Sequence, residues 1–130
     1  CCDQLDGARA LVTRLHAAGH RRYGVIAGPE DSVVGQERLK GTLERLAELG
    51  VRDVPVVRGS YDYDSGANGL HELVKKLRRP PDAVVCGNDV MAIGCIDAAR
   101  FDLSLDVPGR LSVVGFDGVG PSVWSSYRLT

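Results

Sequence analysis

Residues 82–99 read DAVVCGNDVMAIGCIDAA, and this stretch decides the fold. DAVVCG, at 82–87, is a short apolar run entered from the helix breakers Pro80 and Pro81 and left through Gly87, so it reads as a strand. Asn88 and Asp89 then open a helix through Met91, Ile93, Ile96 and Ala99, with Asn88 placed to cap it. An apolar strand that runs straight into a helix is half of a β-α-β unit, and the rest of the chain repeats it.

Upstream, Leu5, Ala8, Leu11, Val12, Leu15 and Ala18 make one apolar helix face closed by Gly19, and YGVIAG at 23–28 follows as a strand. A second helix from about Val34 carries Leu39, Leu43, Leu46 and Leu49 and ends at Gly50, before the strand VPVVRG at 54–59. A third helix runs from about Ser65 through Leu70, Leu73, Val74 and Leu77 to the two prolines. Downstream, the turn-rich DVPGR leads into LSVVGF at 111–116. Helices alternating with strands that are apolar throughout predict an α/β domain, a three-layer parallel sheet flanked by helices with right-handed crossovers. The chain starts on a helix with no strand before it and stops at Thr130 without a closing element, which reads as one lobe of something larger.

Composition sets bounds on function. With 130 residues, 44% hydrophobic and 25% charged, the chain suits one soluble globular domain. Sixteen Lys plus Arg against seventeen Asp plus Glu leave a formal charge of -1, whereas a duplex-binding domain usually carries a dense basic face. No apolar run reaches the roughly 18 residues of a membrane span, and CCDQLDGA is not a secretory signal. Cys1, Cys2, Cys86 and Cys95 form no CxxC pair, and the setting of Cys86 and Cys95 is that of buried free thiols in a reducing cytosol; a disulfide between these two is the minor alternative.

In an open parallel sheet ligands collect beyond the carboxyl ends of the strands. The polar residues placed there are Arg38, Tyr61, Asn88 and Asp117. Arg38 offers a planar fork of donors and Asp117 a carboxylate acceptor, a pair suited to vicinal hydroxyls or a polar ring, as in a sugar or nucleoside. Each also has an ordinary structural reading: a solvated helix-face arginine, an aspartate forming the turn before Gly118, an exposed turn tyrosine and a helix cap for Asn88. Enzyme readings fare worse. His16 and His20 stand four apart as helix metal ligands would, but Gly19 ends the helix between them. Asp62, Asp64 and Gly66 start like a calcium loop whose twelfth position is Leu73, not a carboxylate, so a polar turn is expected. GFDGVG is not a dinucleotide cradle, there is no GxSxG elbow, and no base and nucleophile can be paired. No metal and no cofactor are expected.

Taken in order, DQLDGARALVTRLHAAGHRRYGVIAG, RLKGTLERLAELGV, PPDAVVCGNDVMAIG and VPGRLSVVGFDG resemble the LacI/GalR family of bacterial repressors over nearly the whole chain. GNDVMAIG followed by VP and SVVGFDG is the specific part. The resemblance implies a periplasmic-binding-protein-like, Rossmann-like core of two lobes with the effector between them. Residues 1–130 correspond to the carboxy-terminal lobe, and the first lobe, the hinge and the helix-turn-helix head would lie upstream. Arg38 in RLKG, Asn88 in GND and Asp117 in GFDG match the family's effector contacts, and Tyr61 falls where an aromatic ring often covers the ligand. Gly118 stands where the family commonly has a second acidic residue. The implied function is a cytoplasmic effector sensor, homodimeric, that alters operator DNA affinity through the head and not through this lobe. A periplasmic sugar receptor of a transport system is the alternative.

Overall fold

The strand Tyr23–Ala27 (β1) is buried along its whole length, and its alternate side chains supply two separate cores. Tyr23, Val25 and Ala27 belong to one, with Val12, Leu15 and Leu46; Ile26 belongs to the other, with Leu70, Leu73, Met91 and Ile96. A strand apolar on both faces must be covered on both, and that requirement dictates three layers. The computed structural model of the chain describes residues 2–105, 107 and 110–116.

The elements run α1 (Cys2–Ala17), β1, α2 (Val33–Glu48), β2 (Val56–Arg58), α3 (Tyr63–Lys76), β3 (Ala83–Cys86), α4 (Asp89–Asp97), a π-helical turn at Ala98–Asp102, and β4 (Ser112–Val114). All pairings are parallel and the strand order is β2-β1-β3-β4. Helices α1 and α2 pack together, as do α3 and α4. The two pairs cover opposite faces, α1 and α2 over the core of Val12 and Leu46, α3 and α4 over that of Leu73 and Ile96. The α/β reading therefore holds.

Element ends differ from expectation by small amounts with local causes. Gly19 takes φ +105° and ends α1, which leaves His20 off the helix that carries His16. Helix α3 starts at Tyr63, earlier than expected, because the Asp62 carboxylate caps it by accepting from the Ser65 amide at 2.8 Å. It stops at Lys76, four residues short of the prolines. Gly66 has nothing to do with a loop. A Cβ there would fall on the Met91 carbonyl of α4, and a Cβ at Gly94 would fall on the Tyr63 carbonyl of α3, so these two glycines let α3 and α4 touch backbone to backbone.

The amino-terminal edge of the sheet is tied by side chains far apart in sequence. The Asp82 carboxylate accepts from the backbone amides of Arg21 and Arg22, and its Oδ1 lies 3.5 Å from Nδ1 of His20. Nε2 of His20 is 3.0 Å from the Ser112 hydroxyl. No pairing of these three residues could be read from the sequence, because they come from three separate stretches of the chain. Ser112 is only 5% exposed within β4, and the chain of bonds joins the entrances of β1, β3 and β4. Burial, followed by the charge of Asp82, pushes the neighbouring Tyr23 hydroxyl up to about 12.

Candidate functional site

The chain leaves β1 and crosses by α2 to β2 on one side, then returns by α3 to β3 and leaves by α4 on the other, so the connections that follow the adjacent strands β1 and β3 part to opposite faces of the sheet. Such a switch point opens a crevice. The strands exit there through Gly28 and Gly87, packed so closely that a Cβ at Gly87 would lie 2.9 Å from the Gly28 amide nitrogen. Above them lies a cleft of about 400 Å3 lined by Gln4, Ser32, Val34, Arg38, Tyr61 and Asn88. Three of the four residues singled out from the sequence line it together. The fourth, Asp117, lies outside the described residues; its neighbour Phe116 carries the Arg38 guanidinium 4.8 Å above its ring centroid.

Arg38 sits in the second turn of α2 and is 8% exposed, which removes the solvated-arginine reading. Its Nη1 donates to the Gly87 carbonyl at 2.8 Å and its Nε to Oε1 of Gln4 at 2.9 Å. The guanidinium therefore bridges α1, α2 and the end of β3, and stands held in one orientation at the floor of the cleft. The Gly41 of the RLKG segment serves packing: a Cβ there would meet the Leu5 carbonyl of α1.

Tyr61 adopts φ +67°, and its ring lies against Gly28, Gly35 and Gly87, where only glycine leaves room. Its hydroxyl is 2.8 Å from Oγ of Ser32, which caps α2 by accepting from the Gly35 amide. Asn88 does two jobs. Its Oδ1 accepts from the Met91 amide at 2.9 Å and caps α4, while Nδ2 donates to the Tyr61 carbonyl at 3.2 Å. The cap and the placement of Tyr61 thus share one amide, which keeps a second hydrogen on Nδ2 and a second lone pair on Oδ1. The Asp89 amide donates to the Phe116 carbonyl at 3.1 Å and brings the last strand's exit beside Asn88.

Gln4 and Ser32 were not singled out from the sequence. Ser32 carried a usable signal, a hydroxyl just before a helical run. Gln4 carried none, because its partner is 34 residues away. Cys86 and Cys95 are free and buried. The hydrogen bond to Cys95, followed by burial, pushes the Cys86 thiol up.

A family profile described as "Periplasmic binding protein-like domain" matches residues 12–130. The HTH-type transcriptional repressor CytR of Escherichia coli is 37% identical over 130 residues, 98% of this chain and 38% of that protein. The repressor PurR of Pectobacterium carotovorum is 41% identical over 124 residues, 94% of this chain and 35% of that protein. A LacI-family regulatory protein of Chloroflexus aggregans superposes with a TM-score of 0.88 at 34% identity, over 98% of this chain and 46% of that one.

The chain belongs to the LacI/GalR family. It spans less than half the length of these relatives. The cleft of Arg38, Tyr61 and Asn88 lies at the strand exits of this periplasmic-binding-protein-like domain. The curated relatives CytR and PurR are HTH-type transcriptional repressors. No helix among the described residues is long and apolar enough to cross a membrane.

Proposed function

We propose that this chain is the carboxy-terminal half of the effector-binding core of a cytoplasmic transcriptional repressor, and that the cleft at β1 and β3 forms one wall of a site for a sugar or nucleoside-like effector. One observation carries the proposal: Arg38, Tyr61 and Asn88, spread over 51 positions of sequence, line one open cleft at the switch point of the sheet. A held guanidinium, an aromatic ring and a carboxamide with spare hydrogen-bonding capacity suit a hydroxylated ring with one apolar face. Asp117, next to Phe116, is proposed as the hydroxyl acceptor.

Binding between two lobes would favour the closed arrangement, and closure would reset the upstream head's affinity for operator DNA. Such coupling is reciprocal and is typically worth about 1–3 kcal/mol. A homodimer fits the exposed apolar side chains of Val90 on α4 and Phe101 on its π-helical extension. Val90 is 41% and Phe101 77% exposed, and Tyr63, 42% exposed, donates to Asp97 beside them. The transport-receptor reading has no comparable support, since the relatives named above are repressors or regulators.

The test is calorimetry of the two-lobed protein against a panel of hexoses, pentoses and nucleosides, with Asp117→Asn and Tyr61→Ala beside it. A ligand should emerge that loses at least tenfold in affinity in both variants and changes operator binding. Unchanged affinity in Asp117→Asn removes the hydroxyl-acceptor role, and a protein that binds sugar but no operator is a transport receptor.

A further inference from the structure

Because all strands are parallel, the connections that enter them gather on the edge opposite the effector cleft. Residues 21–22 before β1, 51–55 before β2 and 77–79 before β3 enclose a groove of about 370 Å3 there. Five arginines line it, Arg21, Arg22, Arg52, Arg78 and Arg79, all exposed, against one carboxylate, Asp53. In a chain with a formal charge of -1 this is a local concentration of charge, and Lys75 and Lys76 lead into it.

The arginines fall into two sets. Arg21 donates through Nη1 to the His16 and His20 carbonyls, and Arg22 through Nε to the Pro80 carbonyl, so both are held from behind. Arg52, Arg78 and Arg79 have no hydrogen-bond or ion-pair partner among the described residues. The Asp82 carboxylate is occupied by two backbone amides, His20 and Arg22. Three guanidinium groups without a side-chain partner among the described residues thus line the groove beside Val54, Pro55 and Leu77, with Asp53 the one carboxylate in its lining. The guanidinium fork matches phosphate oxygens in pairs, and a concave volume of this size holds a small ligand.

We propose that this groove binds a small oligophosphate, a di- or triphosphate free or attached to an apolar group, at a second site separate from the effector cleft. The three strand-entry connections would close on it, with Arg52, Arg78 and Arg79 taking the phosphates. The proposal does not depend on the effector reading, since it uses no residue of the cleft.

Titration of the full chain with inorganic triphosphate, followed by calorimetry and by amide chemical shifts, tests it. Saturable binding is expected at 50 mM salt, weakening steeply by 200 mM, with shifts at 21–23, 51–55 and 77–79. The double variant Arg78→Ser, Arg79→Ser and the single variant Arg52→Gln, all at exposed positions, should each weaken binding at least tenfold while leaving the thermal midpoint unchanged. A nucleoside triphosphate that binds more tightly than triphosphate places the base on the Val54 and Leu77 floor, and equal affinity assigns binding to the phosphates alone; either supports the site. Absence of saturation at millimolar triphosphate overturns it. So do shifts centred on Arg38 and Tyr61, or tighter binding of duplex DNA through the same arginines.

Discussion

At the scale of single residues, Asn88 separates structure from recognition. It caps α4 and holds the Tyr61 carbonyl. Asn88→Ala should cost about 1–2 kcal/mol in urea unfolding through the lost cap. Asn88→Asp keeps the capping oxygen and removes the amide donor, so it should retain most of that stability and lose effector affinity. A ligand bound equally well by the aspartate variant would restrict Asn88 to capping. Arg38→Lys should cost roughly 1–3 kcal/mol, because the Gly87 carbonyl is left short of a donor in a buried site and an ammonium does not reproduce the fork. Asp62 gives a pH signature. The Ser65 backbone amide, followed by the Ser65 and Ser60 hydroxyls, holds its carboxyl below the usual aspartate range. A lowered folded value means that its stabilisation is present above the unfolded value near 4 and is lost as pH falls through the folded one. The difference in melting temperature between the native chain and Asp62→Ala should therefore be flat at neutral pH and shrink below about pH 4; a gap that persists unchanged at pH 2 would contradict the carboxylate cap.

At the scale of elements, two glycines of one residue type behave oppositely because their surroundings differ. Gly66 lies where α3 meets the α4 backbone, and Gly66→Ala should destabilise by about 2–3 kcal/mol as the helices are forced apart. Gly7 lies in the exposed face of α1 with nothing within 4 Å of its missing Cβ. Gly7→Ala should stabilise by roughly 0.5–1 kcal/mol through helix propensity alone. Chemical denaturation of both variants checks the pair, and a neutral Gly66→Ala would mean that the α3 and α4 contact is looser than described. From sequence Gly66 looked like part of a polar turn, because nothing local distinguishes a turn glycine from one that faces another helix. The apolar periodicities of α1 and α2 and the runs of β1 and β3 were legible, since burial on one stripe or on both faces is written in the residues themselves. The start of α3 was not, because its first residues, Tyr63 and Asp64, carry no helical apolar pattern and the cap at Asp62 decides it.

At the scale of the whole molecule, a chain with a net charge of -1 should leave duplex DNA unshifted in a mobility assay at 150 mM salt. Tight binding by this chain would overturn the proposed division between a sensing lobe and a DNA-binding head. The residue types and order along the chain determined the α/β class, the parallel sheet and the polar positions at strand ends, because alternation of apolar strands with helices leaves few packings. Only the tertiary structure decided what those positions do. It buried Arg38 against Gly87, Gln4 and Phe116, set Tyr61 on three glycines, joined Ser112 to His20 and Asp82 across the sheet entrance, and gathered five arginines on the opposite edge. Each of these meetings joins residues distant along the chain, and no periodicity of 2 or 3.6 residues records a contact made between connections of different strands.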